Sequence, residues 1–434
     1  MPNKPGISVW ETPTLPADWY KRKPDHAKGN EELQANVRNI MAEVRLNGDA
    51  ALFEFTEKFD KAKLSEKTLR VTKKEVEDAY RNVKQEQVAA LQLMKDRLAA
   101  REKLALQQIQ LQTTYEGINV QTVLRPIESV GCYVPGGRAV YPSTVVMTAL
   151  PAKIAGVKRI VVCSPPTAEG TINPLILVAA DLCGVDEVYK VGGVQAVAAL
   201  AYGTKTIKAV KKIVGPGSSY VTMAKILVSQ DVAIDMPAGP SEVLVLADET
   251  ANPRVVAADM ISQAEHGADS VAGLITTSKT FALDVAAALE ELSASTERAD
   301  IVQAALSTYG FIIVCQNVEE MVELANVFAP EHLEVITRDA QKIAEKITSA
   351  GVILVGAYSP VALSDYASGT NHVLPTAGFG HSFSGLSVLD FARRVNIVES
   401  TKEGLRRVKD SIKVLTDTEQ LPNHYRAVEA RFKE

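Results

Sequence analysis

The pattern of apolar and polar positions changes at about residue 127. Beyond that point, short runs rich in β-branched residues alternate with Ala-rich segments whose apolar residues recur at helical spacing. This alternation is typical of βαβ units, which build mostly parallel sheets covered by helices. The predicted strands are 159–163, 187–191, 212–214, 242–247, 271–276, 310–315, 334–337 and 351–355. The helices predicted between them include 144–155, 175–182 and 196–202.

The segments on either side carry a different pattern. Residues 1–28 are rich in proline and charge, which predicts an extended arm. Asn30 is expected to cap a helix that runs to about Arg45 and stops at Asn47-Gly48. Residues 72–112 combine helical spacing with dense charge, which predicts an amphipathic helical pair or a partner-binding helix. After about residue 382 the strand signal fades, and helices are predicted over 401–416 and 423–433.

These elements predict an α/β protein with two Rossmann-like, mostly parallel-sheet domains, a helical N-terminal region and a helical C-terminal tail. A chain of 434 residues is long enough for such a division. The expected boundaries are an arm at 1–28, a helical region at 29–129, α/β domains at 130–240 and 241–381, and the tail at 382–434.

Composition and charge exclude several classes of function. A net charge of −5 argues against a nucleic-acid-binding protein. The chain has no apolar run of about 18 residues, so no membrane span is expected, and its start does not resemble a signal peptide. The four cysteines form no CxxC pair, and Cys163 and Cys315 each end an apolar run. We therefore expect a cytoplasmic protein in which any metal is held by histidine, carboxylate or amide groups.

Two histidine motifs stand out, because five of the six histidines lie in the last two-fifths of the chain. Gln263 and His266 fall three residues apart at a predicted helix end, where an amide oxygen and an imidazole could share a metal. A capping or core histidine is the simpler alternative. Glu331 and His332 follow Pro330 on a connection that enters a strand. They could transfer protons to two atoms of one substrate, or they could form an ordinary surface pair.

Two further segments are rich in polar groups. Residues 364–372 place Asp365, His372 and several hydroxyl and amide side chains around a glycine, as binding loops do, although a capped turn would also explain them. His424 lies in the first turn of the last predicted helix, where an exposed histidine is the simpler interpretation.

Glycine-rich turns are the possible cofactor signal. No GxGxxG motif is present, but Gly192-Gly193-Val194-Gln195 and Gly215-Pro216-Gly217-Ser218 each follow a predicted strand and precede a helix. A third turn begins at Tyr133, whose ring could stack on a cofactor, and includes Gly136-Gly137. Such turns let backbone approach phosphate groups, although tight strand-to-helix turns need no ligand.

Taken together, these segments closely resemble the histidinol dehydrogenase family from about residue 30 to the end. The matching segments are Val130-Gly-Cys-Tyr-Val-Pro-Gly-Gly137, Val191-Gly-Gly-Val-Gln195, Ala238-Gly-Pro-Ser-Glu-Val-Leu-Val245, Ser262-Gln-Ala-Glu-His-Gly267, Ala329-Pro-Glu-His-Leu333 and Asp365-Tyr-Ala-Ser-Gly-Thr-Asn-His-Val-Leu-Pro375. The resemblance implies a zinc-dependent, NAD-linked enzyme that oxidises L-histidinol to L-histidine through an aldehyde, in the last step of histidine biosynthesis.

The resemblance also implies a role for individual residues. Zinc would be held by Gln263, His266, Asp365 and His424, a mixed N/O set that suits this metal. His332 would accept the alcohol proton, and Glu331 would activate the water that attacks the aldehyde. The remaining matches are substrate contacts at Ser241, His372 and Glu419, and cofactor contacts at Tyr133, Gln195 and Ser218. The tail would reach into the partner's site in a homodimer, so Glu419 and His424 would act in trans.

The sequence departs from the family pattern at a few positions. Ser218 stands where the family usually has asparagine, and its shorter side chain would lose one cofactor hydrogen bond or make it through water. Val194, Val361 and Ser364 are further departures. Relatives that oxidise another small alcohol, such as a sulfopropanediol, are the alternative, although Ser241-Glu242 and Glu419 favour histidinol. A non-catalytic zinc scaffold is a third possibility, and the intact Glu331-His332 pair argues against it.

Overall fold

The structure is a computed structural model that describes residues 7–17, 19–20, 26–109, 111–136, 140–237 and 239–433. Gly137 and parts of the predicted arm (1–6, 18 and 21–25) lie outside these ranges. The strands are β1 Ser8–Glu11, β2 Leu111–Tyr115, β3 Ile118–Pro126, β4 Ser129–Tyr133, β5 Arg159–Ser164, β6 Glu187–Lys190, β7 Lys212–Val214, β8 Ala233–Ile234, β9 Glu242–Ala247, β10 Val271–Thr276, β11 Phe311–Val314, β12 His332–Ile336, β13 Val352–Val355 and β14 Ala392–Ser400.

The helices alternate with the strands over most of the chain. They are α1 His26–Asn47, α2 Asp49–Asp60, α3 Lys73–Arg81, α4 Gln85–Gln107, α5 Pro142–Ala155, α6 Pro174–Leu182, α7 Gly193–Tyr202, α8 Ser219–Val228, α9 Pro253–Ala264, α10 Lys279–Ser293, α11 Ala299–Tyr309, α12 Val318–Phe328, α13 Ala340–Ala344, α14 Val361–Tyr366, α15 Lys402–Thr418 and α16 Pro422–Glu429. No helix among the described residues is both long and apolar enough to span a bilayer.

Two parallel sheets form the body, which confirms the predicted α/β class. The first parallel sheet has the strand order β6-β5-β4-β7-β8, and the second has the order β1-β11-β10-β9-β12-β13. Counted from the first βαβ strand of each sheet, both follow the order 3-2-1-4-5 of doubly wound folds, with β1 added at one edge of the second sheet.

Burial on both faces explains why the parallel strands were predictable. Every residue of β9 is buried, and alternate residues enter opposite cores. Val243 and Val245 pack with α9 and α10, while Leu244 and Leu246 pack with α12. A strand covered on both faces is apolar along its whole length, and such runs dominated the sequence pattern.

The third sheet contradicts part of the sequence prediction. β14, β3 and β2 form an antiparallel sheet in that order. The prediction of a wholly helical segment after residue 382 is therefore wrong for residues 392–400, and the predicted helical region also contains β2 and β3. β2 and most of β14 are exposed, so they lack an apolar run. β14 is fixed as a strand by pairing with β3 across more than 250 residues of sequence, and β2 by pairing with β3 in a local hairpin.

Several helix ends agree with the sequence prediction and one does not. α1 ends at Asn47, before Gly48, as expected. The amide of Asn252 accepts the N–H of Arg254 at the start of α9, and Pro253 occupies the first helical position. The expected cap at Asn30 is wrong, because α1 already begins at His26.

Candidate active site

The predicted catalytic pair lies at the amino edge of the second parallel sheet. Glu331 directly precedes β12 and His332 is its first residue, with side-chain exposures of 9% and 4%. The neighbouring strand β9 begins at Glu242, and His332 is in register with Val243. Because β9 and β12 are parallel, their first residues meet at the same edge, and Ser241 lies there too.

Glu242 holds both catalytic candidates in place. Its backbone N–H donates to Glu331 Oε2 over 2.9 Å, and the N–H of Glu331 donates to Glu242 Oε2 over 3.4 Å. The Glu242 carbonyl lies 3.0 Å from His332 Nδ1. A carbonyl oxygen can only accept, so Nδ1 carries a hydrogen and Nε2 is the atom directed into the site.

The charge state of this pair follows from its burial. Burial raises the pKa of Glu331 to about 8, against the opposing charge of His332. Burial lowers the pKa of His332, but Glu331 and Asp365 outweigh it and raise that pKa to about 9. His332 Nε2 lies 3.3 Å from Asp365 Oδ1. His332 is therefore protonated near neutral pH and lies between two carboxyl groups.

Asp365 is positioned by a short helix that β12 anchors. Asp365 lies in the last turn of α14. The residue before that helix is Pro360, whose side chain forms no capping hydrogen bond. Glu334 Oε1 of β12 instead accepts the N–H of Val361, the first residue of α14, over 2.9 Å. Burial, followed by the nearby charge of Asp259, raises the pKa of Glu334 to about 9. Glu334 thus links β12 to α14, and Asp259 of α9 lies close enough for its charge to affect Glu334.

His266 and His372 complete a cluster around Asp365. The His372 Nδ1 atom lies 3.2 Å from the Asp365 carbonyl oxygen. The pKa of His266 and that of His372 are both lowered, because desolvation outweighs the opposing effect of the nearby Asp365 charge. The pKa of Asp365 is lowered: desolvation alone would raise it, but His332, His372 and His266 reverse the effect. The cluster therefore offers neutral imidazoles and a carboxylate.

This donor set fits part of a metal site. Neutral imidazole and carboxylate are the forms that bind zinc, and the amide of Gln263 is 2% exposed on the last turn of α9. His266 follows that turn, and its N–H donates to the Gln263 carbonyl over 3.3 Å. Within the described ranges, no three His, Cys, Asp or Glu side chains are grouped so that they could hold a metal. Of the predicted ligands in the body, only His266 and Asp365 are of these types, and Gln263 would supply a third donor.

The two tail candidates lie apart from this cluster in one chain. Glu419 is the C-cap of α15 and His424 lies in the first turn of α16, and both side chains are exposed. His424 does not join His266 and Asp365 as a third ligand in the described structure. The structure therefore unites the predicted residues of the body and leaves those of the tail facing solvent.

The predicted cofactor residues converge at the carboxyl edge of the first parallel sheet. Tyr133 ends β4, Gln195 lies in the first turn of α7 after β6, and Ser218 precedes α8 after β7. The strand order reverses between β4 and β7, the position at which doubly wound sheets bind ligands. The Tyr133 hydroxyl accepts the N–H of Gly193 over 3.1 Å.

At this edge one buried polar side chain lacks hydrogen-bond partners, and an exposed one leaves a helix end uncapped. Gln195 is 1% exposed, yet neither its amide oxygen nor its amide nitrogen has a hydrogen-bond partner among the described residues. Unsatisfied buried amides are costly, so a missing ligand is their natural explanation. The Ser218 side chain does not cap α8, which leaves the N-terminus of that helix open to an anionic group.

An open cleft of about 490 Å³ adjoins the cluster. It is lined on one side by Tyr141 and Pro142, at the start of α5, and on the other by His266, Arg298 and Tyr366. The cleft therefore places His266 beside α4 and α5, and Tyr133, Gln195 and Ser218 are not among its described lining residues.

Sequence reasoning missed three residues that organise the site. Glu242 and Glu334 are buried: Glu242 bonds to Glu331, and Glu334 bonds to the backbone of α14. The half-buried Asp259 lies beside Glu334. A charged residue inside an otherwise apolar strand, as Glu334 is, was an available signal. Its partner on another element could not be identified from the sequence.

The fold and the site define an oxidoreductase of the dehydrogenase class: a glycine-turn edge on one parallel sheet beside an acid–base cluster on another. The histidinol dehydrogenase family model matches residues 23–432. The chain belongs to the histidinol dehydrogenase family.

Individual relatives agree with this assignment. The histidinol dehydrogenase of Bacteroides fragilis is 46% identical over 405 residues, 93% of this chain and 94% of its own length. That of Methanothermobacter thermautotrophicus is 43% identical over 404 residues, covering 93% and 94%. The crystal structure of histidinol dehydrogenase from Elizabethkingia anophelis superposes with a TM-score of 0.93 at 39% identity, covering 98% of each chain.

Proposed function

We propose that this enzyme oxidises L-histidinol to L-histidine through L-histidinal, using NAD and a zinc ion. The observation that carries the proposal is the position of His332. Its Nδ1 is held by the Glu242 carbonyl, and its Nε2 points at Asp365, beside His266. A base is thus placed next to metal-type ligands, where an alcohol bound to those ligands would lose its proton.

We assign the zinc ion to Gln263, His266 and Asp365 of one chain and His424 of a second copy. The first three supply an amide, a neutral imidazole and a carboxylate at one cluster. The exposed His424 is available to another subunit. When bound, zinc would hold and orient the substrate. Its positive charge would also favour the neutral form of His332, which Asp365 otherwise helps to keep protonated.

In the first oxidation, His332 Nε2 accepts the hydroxyl proton while the carbinol carbon gives up a hydride, which yields the aldehyde. In the second, Glu331 accepts a proton from water as that water attacks the aldehyde carbon. The hydrate anion then loses a second hydride to give the carboxylic acid, whose remaining proton passes to solvent to leave the carboxylate. Each oxidation reduces one NAD to NADH. The raised pKa of Glu331, about 8, suits a group that exchanges protons near neutral pH.

Other residues recognise substrate and cofactor in this proposal. Ser241 directly precedes β9 at the edge that carries Glu331 and His332, and His372 contacts Asp365 from the segment after α14, so both are assigned to the substrate. Glu419 of the second copy would attract the cationic amine of histidinol. Tyr133, Gln195 and Ser218 would bind NAD, and ligand contact would satisfy the unpartnered Gln195 amide.

The remaining assignments concern organisation. We infer a homodimer with shared sites, because the zinc set lacks a ligand within one chain. We also infer that residues 130–240 serve the cofactor and 241–381 the metal and catalysis. All four cysteines are free and buried, in keeping with a reducing cytoplasm.

A substrate panel on metal-analysed protein tests the proposed function. NADH formation should be observed with histidinol and with histidinal, and the H332N variant should lose the histidinol activity. NADH formation with dihydroxypropanesulfonate but not with histidinol would assign the enzyme to another small alcohol. The absence of NADH formation with every substrate would reject the catalytic role.

A further inference from the structure

The carboxyl edge of the first parallel sheet contains a buried ion pair that the proposed mechanism does not use. Lys225 of α8 contacts Asp235, which follows β8, and their side chains are only 2% and 1% exposed. A buried pair of charges loses its hydration, and replacing such a pair with apolar groups is often neutral or stabilising. Fold stability alone therefore does not explain its presence.

Both charged side chains form a hydrogen bond with the same residue of the glycine turn. The Gly215 N–H donates to Asp235 Oδ2 over 2.7 Å, and Lys225 Nζ donates to the Gly215 carbonyl over 2.9 Å. The pair therefore holds the peptide groups on both sides of this single residue. Gly215 also has φ of +114°, a conformation that favours glycine.

The turn that contains Gly215 packs directly against the proposed cofactor residues. A Cβ atom at Gly215 would lie 2.1 Å from the Tyr133 carbonyl oxygen, and one at Gly217 would lie 3.2 Å from the Tyr133 ring. Ser218 follows Gly217 and directly precedes α8. A shift of Gly215 would therefore displace Tyr133 and Ser218 together.

We infer that Lys225 and Asp235 are positioning residues, which hold the Gly215–Ser218 turn and Tyr133 in the geometry that binds the nicotinamide cofactor. This inference rests on the proposed binding of NAD at Tyr133, Gln195 and Ser218. The pair lies beneath the turn and does not contact the catalytic cluster of His332, Asp365 and His266 through any hydrogen bond or ion pair in the described parts of the chain. Its effect should therefore fall on the cofactor and not on the alcohol substrate.

The test is a graded set of variants measured for NADH affinity and for steady-state kinetics. K225M/D235L removes both charges and both bonds to Gly215. K225M/D235N removes both charges but keeps an oxygen that can accept the Gly215 N–H. K225R keeps the charge and the donors. The matched control is K212M, which breaks the partly buried Lys212–Asp390 contact at the other end of β7.

We expect K225M/D235L to raise the KM for NAD and the Kd for NADH by about tenfold or more, with a smaller rise in K225M/D235N. The kcat at saturating NAD and the KM for histidinol should stay within about threefold of wild type. K225R and K212M should behave like wild type. Circular dichroism and thermal unfolding verify that each variant folds.

A folded K225M/D235L with wild-type affinity for NADH would overturn the inference. If that variant does not fold, unchanged affinity in K225M/D235N overturns it equally. Equal losses of NAD and histidinol affinity would show a general structural role and also overturn it. Failure of the wild type to bind NADH would instead reject the proposed function, and this inference with it.

Discussion

At the scale of single residues, the proposed mechanism depends on two adjacent groups, Glu331 and His332, that have different roles. Glu331 and His332 face different partners because one precedes β12 and the other begins it. H332N should lower histidinol oxidation by about 10²–10⁴-fold, since no group remains to accept the hydroxyl proton. E331Q should instead impair histidinal oxidation more than the alcohol step. Single-turnover measurements of each step, with NADH absorbance as signal, check this separation; near-wild-type rates for both variants would contradict it.

The burial of Glu331 also predicts a dependence of stability on pH. Its pKa rises from an ordinary 4.5 to about 8 in the folded protein. Between these values the native state holds a proton that the unfolded state releases, so wild-type stability falls as pH rises. Glutamine cannot titrate. In chelator-treated protein, the Tm of E331Q relative to wild type should therefore increase by about 2 °C or more from pH 5 to pH 8. A constant difference would show that Glu331 is not held protonated by burial.

The sequence identified the residues that could take part in catalysis, but it did not identify the residues that hold them in place. Asp365, His266 and His332 were recognisable because histidine and carboxylate groups are concentrated in polar segments. The supporting role of Glu242 was not recognisable, because it depends on the register of β9 against β12. Adjacent strands in this sheet are separated by tens of residues of sequence, and local pattern carries no information about such pairings.

At the scale of elements, α14 depends on a carboxyl group from β12. Glu334 supplies the acceptor for the Val361 N–H that a capping side chain would otherwise provide. E334L should lose about 1 kcal/mol of stability and loosen Asp365, so it should retain less zinc. E334Q keeps the acceptor oxygen and is the matched control. Metal analysis after dialysis, with H266A as the variant expected to lose zinc, tests this; full retention in E334L would contradict it.

The elements also differ in how well they could be predicted. The doubly buried strands of the parallel sheets and the capped start of α9 carry local signals, an apolar run and Asn252-Pro253. β2 and β14 carry none, because each is exposed along most of its length. Their strand character comes from pairing with β3. Exposed strands of this kind are therefore invisible to a reading of apolar periodicity.

At the scale of the whole molecule, the site draws on opposite edges of two sheets and on a tail. The cofactor residues occupy the carboxyl edge of the first parallel sheet, and the catalytic pair occupies the amino edge of the second. Glu419 and His424 are exposed on the helices that follow β14. The sequence could supply these residues, but only the structure shows that Glu419 and His424 are exposed within one chain and that, among the described residues, His424 does not join His266 and Asp365.

Shared sites predict that two inactive variants can restore each other. H332N is defective in the body and H424A in the tail, so a mixed dimer contains one site with an intact body and an intact tail. Activity should return after subunit exchange to about a quarter of wild type in an equal mixture. A mixture of H332N with H266A is the control, because both changes lie in the body and no intact site can form. Confirmed exchange without recovered activity would place His424 in its own chain's site or outside catalysis.

The central claim is that one enzyme carries both oxidations, with His332 serving the first and Glu331 the second. The most direct measurement is the total NADH formed from a limiting, weighed amount of L-histidinol with excess NAD, together with identification of the product. The account predicts two NADH for each histidinol, and L-histidine as the final product. A single NADH with accumulated aldehyde, or no NADH at all, would contradict it.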